Sequence, residues 1–558
     1  MRSCDTTTRA VSRWVRVWAD MANSVQPLNL MDFRGGLNLR SSDFALGENE
    51  ASDILNMEVD PRAGLASRKG WQRWNSSTVT ADTWNPRNAV VHERSNGVDV
   101  VMVSNAERVH WSTDGAFQEL TIGAGADMAC TASPHLADYA PWGNDVYIAR
   151  GKGQLASSWD SSSANAVELS DCSTVFGDDY LSPVGSSFPK CEHATEHAGR
   201  MWVAHTTETT DGDCPFRVRW SYPNDPESWL EDDYIDIKAG GGPITAIIPH
   251  DDHLLVFKKT AVFALFGYGQ EDLQRVDVDL TVGTLSPQTV AVADGAVFFV
   301  SFPKGVFSIT GGGHPQEVSM ALRPLFGSDD FNASALDNMW LGWLGRRLWW
   351  SVPYKEDELV SDAASIFVLD PSMNAWTKFR SASGEGLGPF AAGAYGQGSV
   401  DLYGFCRCGP NVVRVDIGDA GNDNLSGTPI GFPTSYTTGW LHAGWPDLKK
   451  RWRRPTFIAR KQSGSYSLTC SVFANYETQD VKRQFTVLIN ALTGVALYGD
   501  GSEYDDGTRY AIEVSGSTLK KASSLGTMAA TQLKIDGTAG EPWGLDGIVF
   551  KYRARRFN

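Results

Sequence analysis

A chain of 558 residues is too long for one ordinary core, so it holds several domains or a repeat architecture. With 42% apolar residues, 55 glycines and 25 prolines it reads as folded and turn-rich rather than disordered, and no apolar run approaches the ~20 residues of a membrane helix. A net charge of −17 argues against a general nucleic-acid binder, which needs clustered Lys and Arg, though not against an acidic surface past which DNA slides without sticking.

Residues 1–20 (MRSCDTTTRAVSRWVRVWAD) differ in character from the rest of the chain. They lack the apolar core and cleavage site of a secretory signal and read as a disordered or non-native extension ahead of Met21. Residues 21–85 form an N-terminal arm. Gly35-Gly36 permits a tight turn, Glu48 to Glu58 predicts a short helix, and Asp60-Pro61-Arg62-Ala63-Gly64 is the turn of a hairpin running into Leu65–Trp74.

Residues 86–418 repeat. The clearest copy is Pro243 to Gly267, PITAIIPHDDHLLVFKKTAVFALFG. Its three apolar segments of strand length are Ile244–Ile248, Leu254–Phe257 and Ala261–Phe266, parted by turn signals at Pro249–Asp252 and Lys258–Thr260. Hairpin turns recur at Asn96-Gly97, Gly143-Asn144, Gly199-Arg200, Asp251-Asp252, Asp294-Gly295, Gly345-Arg346 and Gln397-Gly398. Their spacing of roughly 43 to 56 residues is that of a four-stranded propeller blade. Third strands follow at Arg108–Ser112, Val306–Ile309, Ile366–Leu369 and Val412–Val415, and helical periodicity is nearly absent. The expected fold is therefore all-β, a β-propeller of about seven blades, with a pair of β-sandwich domains as the competing architecture. Residues 419–433 read as a linker. Residues 434–558 read as a C-terminal β-sandwich of jelly-roll type, from the alternation in Tyr466–Phe473, Gln484–Leu488, Tyr510–Val514, Gln532–Ile535 and Gly547–Tyr552.

The signatures of an enzyme are missing: no phosphate loop, dinucleotide fingerprint, GxSxG or HExxH occurs. The eight scattered cysteines are too few for a disulfide scaffold. Cys191, His193, His197, His205 and Cys214 offer zinc-ligand chemistry without a paired CxxC, and read as structural. Ser112-Thr113-Asp114-Gly115-Ala116-Phe117 partly resembles the Asp-box of sialidases, a turn that stabilises a blade hairpin; a sialidase would also need clustered arginines, for which Arg87, Arg150, Arg219 and Arg347 are available. The acidic loop Asp500–Gly507 lacks EF-hand spacing and reads as solvated. No catalytic residue, cofactor or metal is expected. The one strong basic run is Lys449-Lys450-Arg451-Trp452-Arg453-Arg454. It suits a solvated strand face, a nucleic-acid contact or a contact between subunits, and with Phe33 and Arg34 of the arm it is read as a subunit interface.

Three stretches carry a family resemblance. Residues 33–75 (FRGGLNLRSSDFALGENEASDILNMEVDPRAGLASRKGWQRWN) combine a double-glycine arm, an Asn before an Asp-Pro-Arg turn, and an arginine-bearing Gly strand. Arg219-Trp-Ser-Tyr-Pro-Asn-Asp225-Pro226-Glu227-Ser-Trp229 follows, with Tyr234-Ile-Asp236 and Gly240-Gly-Gly-Pro243-Ile-Thr. Thr438-Gly-Trp440 and the basic run close the pattern. Together they resemble tailed-bacteriophage tail structural proteins. The resemblance implies a virion protein with a propeller, in the role of the tail nozzle of short-tailed phages. Such a protein forms a cyclic homo-oligomer, of sixfold symmetry, that contacts other tail and adaptor proteins and lets DNA pass without specific binding. A minor tail or tail-tip protein of a long-tailed phage is the first alternative. The second is a propeller that binds or cleaves host glycans, with Trp159 or Trp229 stacking on sugar.

Overall fold

The structure is a computed structural model that describes residues 24–76, 88–104, 108–123, 125–128, 137–172, 187–311, 313–327, 331–332, 336, 339–353, 364–382, 387–394, 402–408, 411–418, 420–425, 427–491, 495–496, 509–510 and 517–555. The extension at 1–20, the turn Gln397-Gly398 and the acidic loop Asp500–Gly507 lie outside the described residues.

Antiparallel pairing builds four-stranded sheets in succession along the chain. Sheet I is Asn88–Glu93, Asp99–Ser104, Val109–Ser112 and Gln118–Ile122. Sheet II is Asp138–Trp142, Asp145–Ala149, Ser157–Trp159 and Asn165–Glu168. Sheet III is Lys190–His197, Arg200–Glu208, Gly212–Ser221 and Trp229–Asp236. Sheet IV is Ile244–His250, His253–Lys258, Ala261–Phe266 and Gln274–Asp279. Sheet V is Val290–Ala293, Ala296–Ser301, Gly305–Thr310 and Gln316–Glu317. Sheet VI is Trp340–Leu344, Arg347–Pro353, Ala364–Asp370 and Ala375–Phe379. Sheet VII takes Leu387–Ala394, Leu402–Cys408 and Asn411–Gly418 from late in the chain and its fourth strand, Gly70–Arg73, from the N-terminal segment.

The sheets stack as a β-propeller: the second strands of sheets I to VI bury both faces, and alternate residues serve alternate neighbours. In sheet IV, Leu254 and Val256 join Trp202 and Trp220 of sheet III, while Leu255 and Phe257 join Val297 and Phe299 of sheet V. In sheet I, Val100 and Met102 pack with Val146 and Ile148 of sheet II, while Val101 and Val103 meet Trp74 and Val412 on the side of sheet VII. The first strands of sheets VII and I are in contact, so the stack closes on itself. Hairpin turns carry the conformations that two-residue connections require: Ala198-Gly199, Asp294-Gly295 and Gly345-Arg346 each have positive φ at both positions. The six described turns expected from the sequence join first to second strands.

Two expectations for Pro243–Gly267 change in detail. Pro249, His250 and Lys258 lie inside strands rather than in turns. Lys258 is fully buried, and its ammonium donates to the carbonyls of Ile237 at 2.6 Å, Ala239 at 3.0 Å and Gly240 at 3.1 Å.

The arm expected as a separate unit is woven into the rest. Gln26–Leu30 pairs with Gly544–Ala554, and Glu50–Leu55 pairs with Thr434–Thr438. Met57–Val59 and Leu65–Ser67 form the expected hairpin. The expected helix over Glu48–Glu58 is instead strand. A bulge between Ala51 and Asp53 turns Ala51 and Ile54, three apart, to the same buried side, which imitates helical spacing. Asn56 then takes a positive φ of 54°, which a helix interior would not accept. Gly36, at φ +60°, sits so close to the Ala375–Phe379 strand that a Cβ would lie 2.7 Å from the Trp376 carbonyl.

The C-terminal region consists of two sheets over one core. Thr434–Thr438, Thr531–Gly537, Tyr466–Ala474 and Arg483–Ile489 pair in that order. Facing them are Lys450–Trp452, Thr456–Arg460, Ser517–Lys521, Gly526–Met528 and Gly544–Ala554. Leu468, Leu533 and Ile535 from the first sheet share a core with Phe457, Leu545 and Ile548 from the second, and Ile54 and Leu65 of the arm complete it.

The expected linker 419–433 holds the junction of these parts. Asp423, fully buried, makes a two-pronged ion pair with buried Arg68, both contacts at 2.8 Å. Its oxygens also accept from the backbone N–H of Trp71 at 3.0 Å and Ala382 at 2.8 Å. The guanidinium lies between the rings of Trp71 and Phe432, at 4.0 and 3.8 Å, and donates to Asn56 Oδ1 and to the carbonyls of Lys69 and Arg380. Removing one partner of such a pair leaves a buried charge uncompensated. Asp423→Asn is expected to lower stability by about 3–5 kcal/mol in urea unfolding; a loss below about 1 kcal/mol would show that the pair does not hold the junction.

Candidate functional site

The basic run straddles the strand Lys450–Trp452, which pairs with Gly544–Ala554 on one side and Gly526–Met528 on the other. Strand alternation divides its residues. Lys449, Arg451, Arg453 and Arg454 are exposed, whereas Lys450 and Trp452 are fully buried. The Lys450 ammonium donates to the carbonyls of Ala529 at 2.8 Å, Leu448 at 2.9 Å and Trp445, and burial pulls its pKa down to about 8. Trp452 donates from Nε1 to the Met528 carbonyl and packs against Tyr552, ring centres 5.3 Å apart. Phe33 is also fully buried, edge-on to Tyr436 at 5.3 Å. The expected interface set is therefore corrected. Phe33, Lys450 and Trp452 belong to the chain's own core, while Arg34 is exposed and paired with Asp32 at 3.0 Å.

The structure adds residues that sequence reasoning missed. In the Gly544–Ala554 strand, Arg553 lies directly opposite Arg451, with Tyr552 opposite Trp452 and Ala554 opposite Lys450. The Arg453 N–H donates to the Lys551 carbonyl at 2.7 Å, and the Arg555 N–H to the Lys449 carbonyl at 3.0 Å. Lys449, Arg451 and Arg453 thus share an outer face with Lys551, Arg553 and Arg555. The period-two placing of cations in Lys551-Tyr552-Arg553-Ala554-Arg555 was the available signal.

The zinc-type set does not converge. His205 sits between Glu192 at 2.7 Å and Asp213 at 3.2 Å, His193 faces Asp138, and His197 packs near Trp202 and Tyr268. Among the described residues one group with ligand-like spacing is Glu208, Asp211 and Cys214. Arg217 donates to the carboxylates of both acids at 2.7 Å, and Arg219 reaches Glu208 at 3.0 and 3.1 Å. Two guanidiniums already supply the positive charge that a cation would bring.

The expected arginines are likewise spoken for. Arg150 pairs with Glu168, Arg219 with Glu208 and Arg347 with Glu58, each in a different sheet; Arg87 lies outside the described residues. Trp159 and Trp229 are buried, donating from Nε1 to the Ser163 and Ser187 carbonyls, so neither presents a ring for a sugar. The Asp-box-like turn has the local role expected of it: the Gly115 N–H donates to Ser112 Oγ at 2.8 Å and the Ala116 N–H to Asp114 Oδ1 at 2.9 Å. The run Arg219–Trp229 is also structural. Asp225 accepts from the Glu227 N–H and the Ser228 hydroxyl, Glu227 accepts from Tyr147 of sheet II, and Trp229 packs on Phe188.

The sequence matches no protein-family description and no curated protein. Among solved structures the chain is similar to a catalytically inactive virginiamycin B lyase from Staphylococcus aureus with quinupristin, at 11% identity and TM-score 0.36 over 62% of this chain and 97% of that one. It is similar to the WD40 β-propeller domain of Doa1 at 10% identity and TM-score 0.35, over 62% and 96%. The extracellular domain of a putative hybrid two-component system from B. thetaiotaomicron gives 11% identity and TM-score 0.40, over 78% and 58%. Likeness this remote carries nothing about activity.

Buried histidines line the seams of the ring. His92 of sheet I reaches the Asn144 carbonyl in the first hairpin turn of sheet II at 3.2 Å, and burial lowers its pKa, as it does for His197. Burial, with Arg108 adding to it, lowers His110 to about 4. A depressed folded pKa means the unfolded chain takes up the proton first. The contribution of His110 is thus whole above its ordinary value of 6.5 and is lost as pH falls from there toward 4. The loss amounts to roughly 3 kcal/mol at most. Thermal midpoints of the native chain should fall over that window more steeply than those of His110→Gln; parallel curves would refute the assignment.

Proposed function

We propose that this chain is a structural component of a bacteriophage tail, a ring-forming nozzle protein that contributes to the channel through which DNA leaves. The observation that carries the reading is where the residues of the resemblance fall. Gly36 packs against sheet VI, and Asn56 and Arg68 belong to the buried junction with Asp423. Arg219 is tied to Glu208 within sheet III, Asp225 orders the turn that carries Glu227, and Glu227 and Trp229 fix sheet III against sheet II. The resemblance is thus carried by residues that hold the body together, as suits a protein whose work is to keep its shape.

The route for DNA lies outside the propeller itself. Between the inner strands of sheets I, II, V and VI, a cavity of about 200 Å³ is lined by Asn88, Asp138, Tyr139, Val290 and Trp340. That is far too small for a duplex whose major groove alone is about 12 Å wide. A DNA path therefore requires several copies around a common axis, as in a closed cyclic assembly. The net charge of −17 suits a wall that repels phosphate instead of trapping it. The glycan alternative loses its support with Trp159 and Trp229 in the core.

Reconstruction of purified phage particles, with peptide identification of the density, tests the reading. Six copies in a ring at the tail's DNA exit are expected. Tails without this chain would overturn it, and three copies at a tip would overturn the nozzle assignment.

A further inference from the structure

We propose that the outer face of Lys450–Trp452 and Gly544–Ala554 is the basic half of a head-to-tail contact, whose other half is the acidic outer strand Trp229–Asp236 of sheet III in a second copy of this chain. The inference deepens the ring reading above and rests on it. Three observations lead to it.

The first is like charge held in register. Arg451 and Arg553 are directly opposed across neighbouring strands, and the backbone bonds from Arg453 to Lys551 and from Arg555 to Lys449 continue the ladder on either side. Like charges directly opposite destabilise a sheet, and those along each strand repeat only about 7 Å apart. Among the described residues none of Lys449, Arg451, Arg453, Lys551 and Arg555 has a carboxylate within ion-pair distance. Yet the chain holds 66 acidic residues against 49 basic ones. A face of this kind makes sense when the neutralising acids come from outside the folded chain.

The second is the matching surface. The strand Trp229–Asp236 is the last of sheet III, and among the described residues it pairs with Gly212–Ser221 alone. Its Asp233 turns inward toward Arg200 at 3.9 Å, and Asp236 is held by Arg217 at 2.9 Å. Glu231 and Asp232 are exposed, and no described cation pairs with them.

The third is placement. The C-terminal sheets join the ring at sheets VI and VII, through Leu55 opposite Lys378 and through Gly70–Arg73. Sheet III lies three places from each of them around the closed stack. The two surfaces therefore belong to well-separated parts of one chain. Complementary patches so placed form a heterologous contact, which repeats from copy to copy and closes into a ring where the rotation from one copy to the next divides a full turn. A polyphosphate is the competing partner, and the chain's net −17 works against it everywhere outside the patch.

A charge exchange tests the contact. The full chain is measured by light scattering at low and high salt, as wild type, as Arg451→Glu/Arg453→Glu, as Glu231→Lys/Asp232→Lys, and with all four changes together. All four sites are exposed, and circular dichroism checks that each variant folds. Wild type is expected to assemble at low salt and dissociate at high salt. Each pair of changes should weaken assembly at least about tenfold, and the combination should restore it. The proposal is overturned if the acidic-strand variant assembles like wild type, if the combination fails to restore assembly, or if wild type remains a monomer at every concentration and salt. It is also overturned if a gel shift with a DNA duplex needs Arg451 and Arg453 while self-association does not. Charge-exchange rescue in a chain absent from phage tails would leave the contact standing and remove the nozzle reading alone.

Discussion

The buried pair between Arg68 and Asp423 is the constraint on which the rest of this structure depends. Two full charges leave water there, a step whose cost is offset only when every remaining donor and acceptor finds a partner. Here they do. The carboxylate takes two guanidinium contacts and two backbone N–H bonds, while the guanidinium lies between two aromatic faces and gives its other protons to Asn56 and two carbonyls. The partners come from three places: the N-terminal segment, the end of sheet VI, and the stretch between sheet VII and the C-terminal sheets. A hydrophobic contact would tolerate sliding among these parts. A forked ion pair fixes both distance and angle.

What hangs from this junction is a closed stack attached to a two-sheet body. The cavity between sheets I, II, V and VI is about 200 Å³, and the polar cluster around Glu208 is charge-balanced by Arg217 and Arg219. Tryptophan serves the same end. Trp202 and Trp220 meet between sheets III and IV, Trp349 lies between VI and VII, and Trp229 packs between II and III. These tryptophans fill the seams between neighbouring sheets.

Much of the propeller was legible because its signals are local. Period-two runs such as Leu254–Phe257 and turns such as Asp294-Gly295 need only their own neighbours to declare themselves. What was not legible depends on distant partners. Nothing in Gly70–Arg73 says that it pairs with Asn411–Gly418, and the bulge in Glu50–Leu55 gave a strand the spacing of a helix. Lys258 and Lys450 read as surface charges, and both are fully buried because backbone carbonyls from other segments enclose their ammonium groups. For the basic run, the sequence located the charge. Only the pairing with Gly544–Ala554 revealed which residues of the run look outward and which cations stand beside them.

The strand Gly70–Arg73 also sets an order of events. Its partner, Asn411–Gly418, emerges from synthesis more than three hundred residues after it, and the Arg68–Asp423 contact spans 355 residues. At a typical translation rate of about 5–20 residues per second, the early strand waits tens of seconds with its pairing edge unmet. Sheets I to VI can stack from neighbour to neighbour as they appear, but the stack remains an open arc with two uncovered ends until sheet VII is complete. For that interval the nascent chain carries unpaired edges of the kind that invite wrong partners.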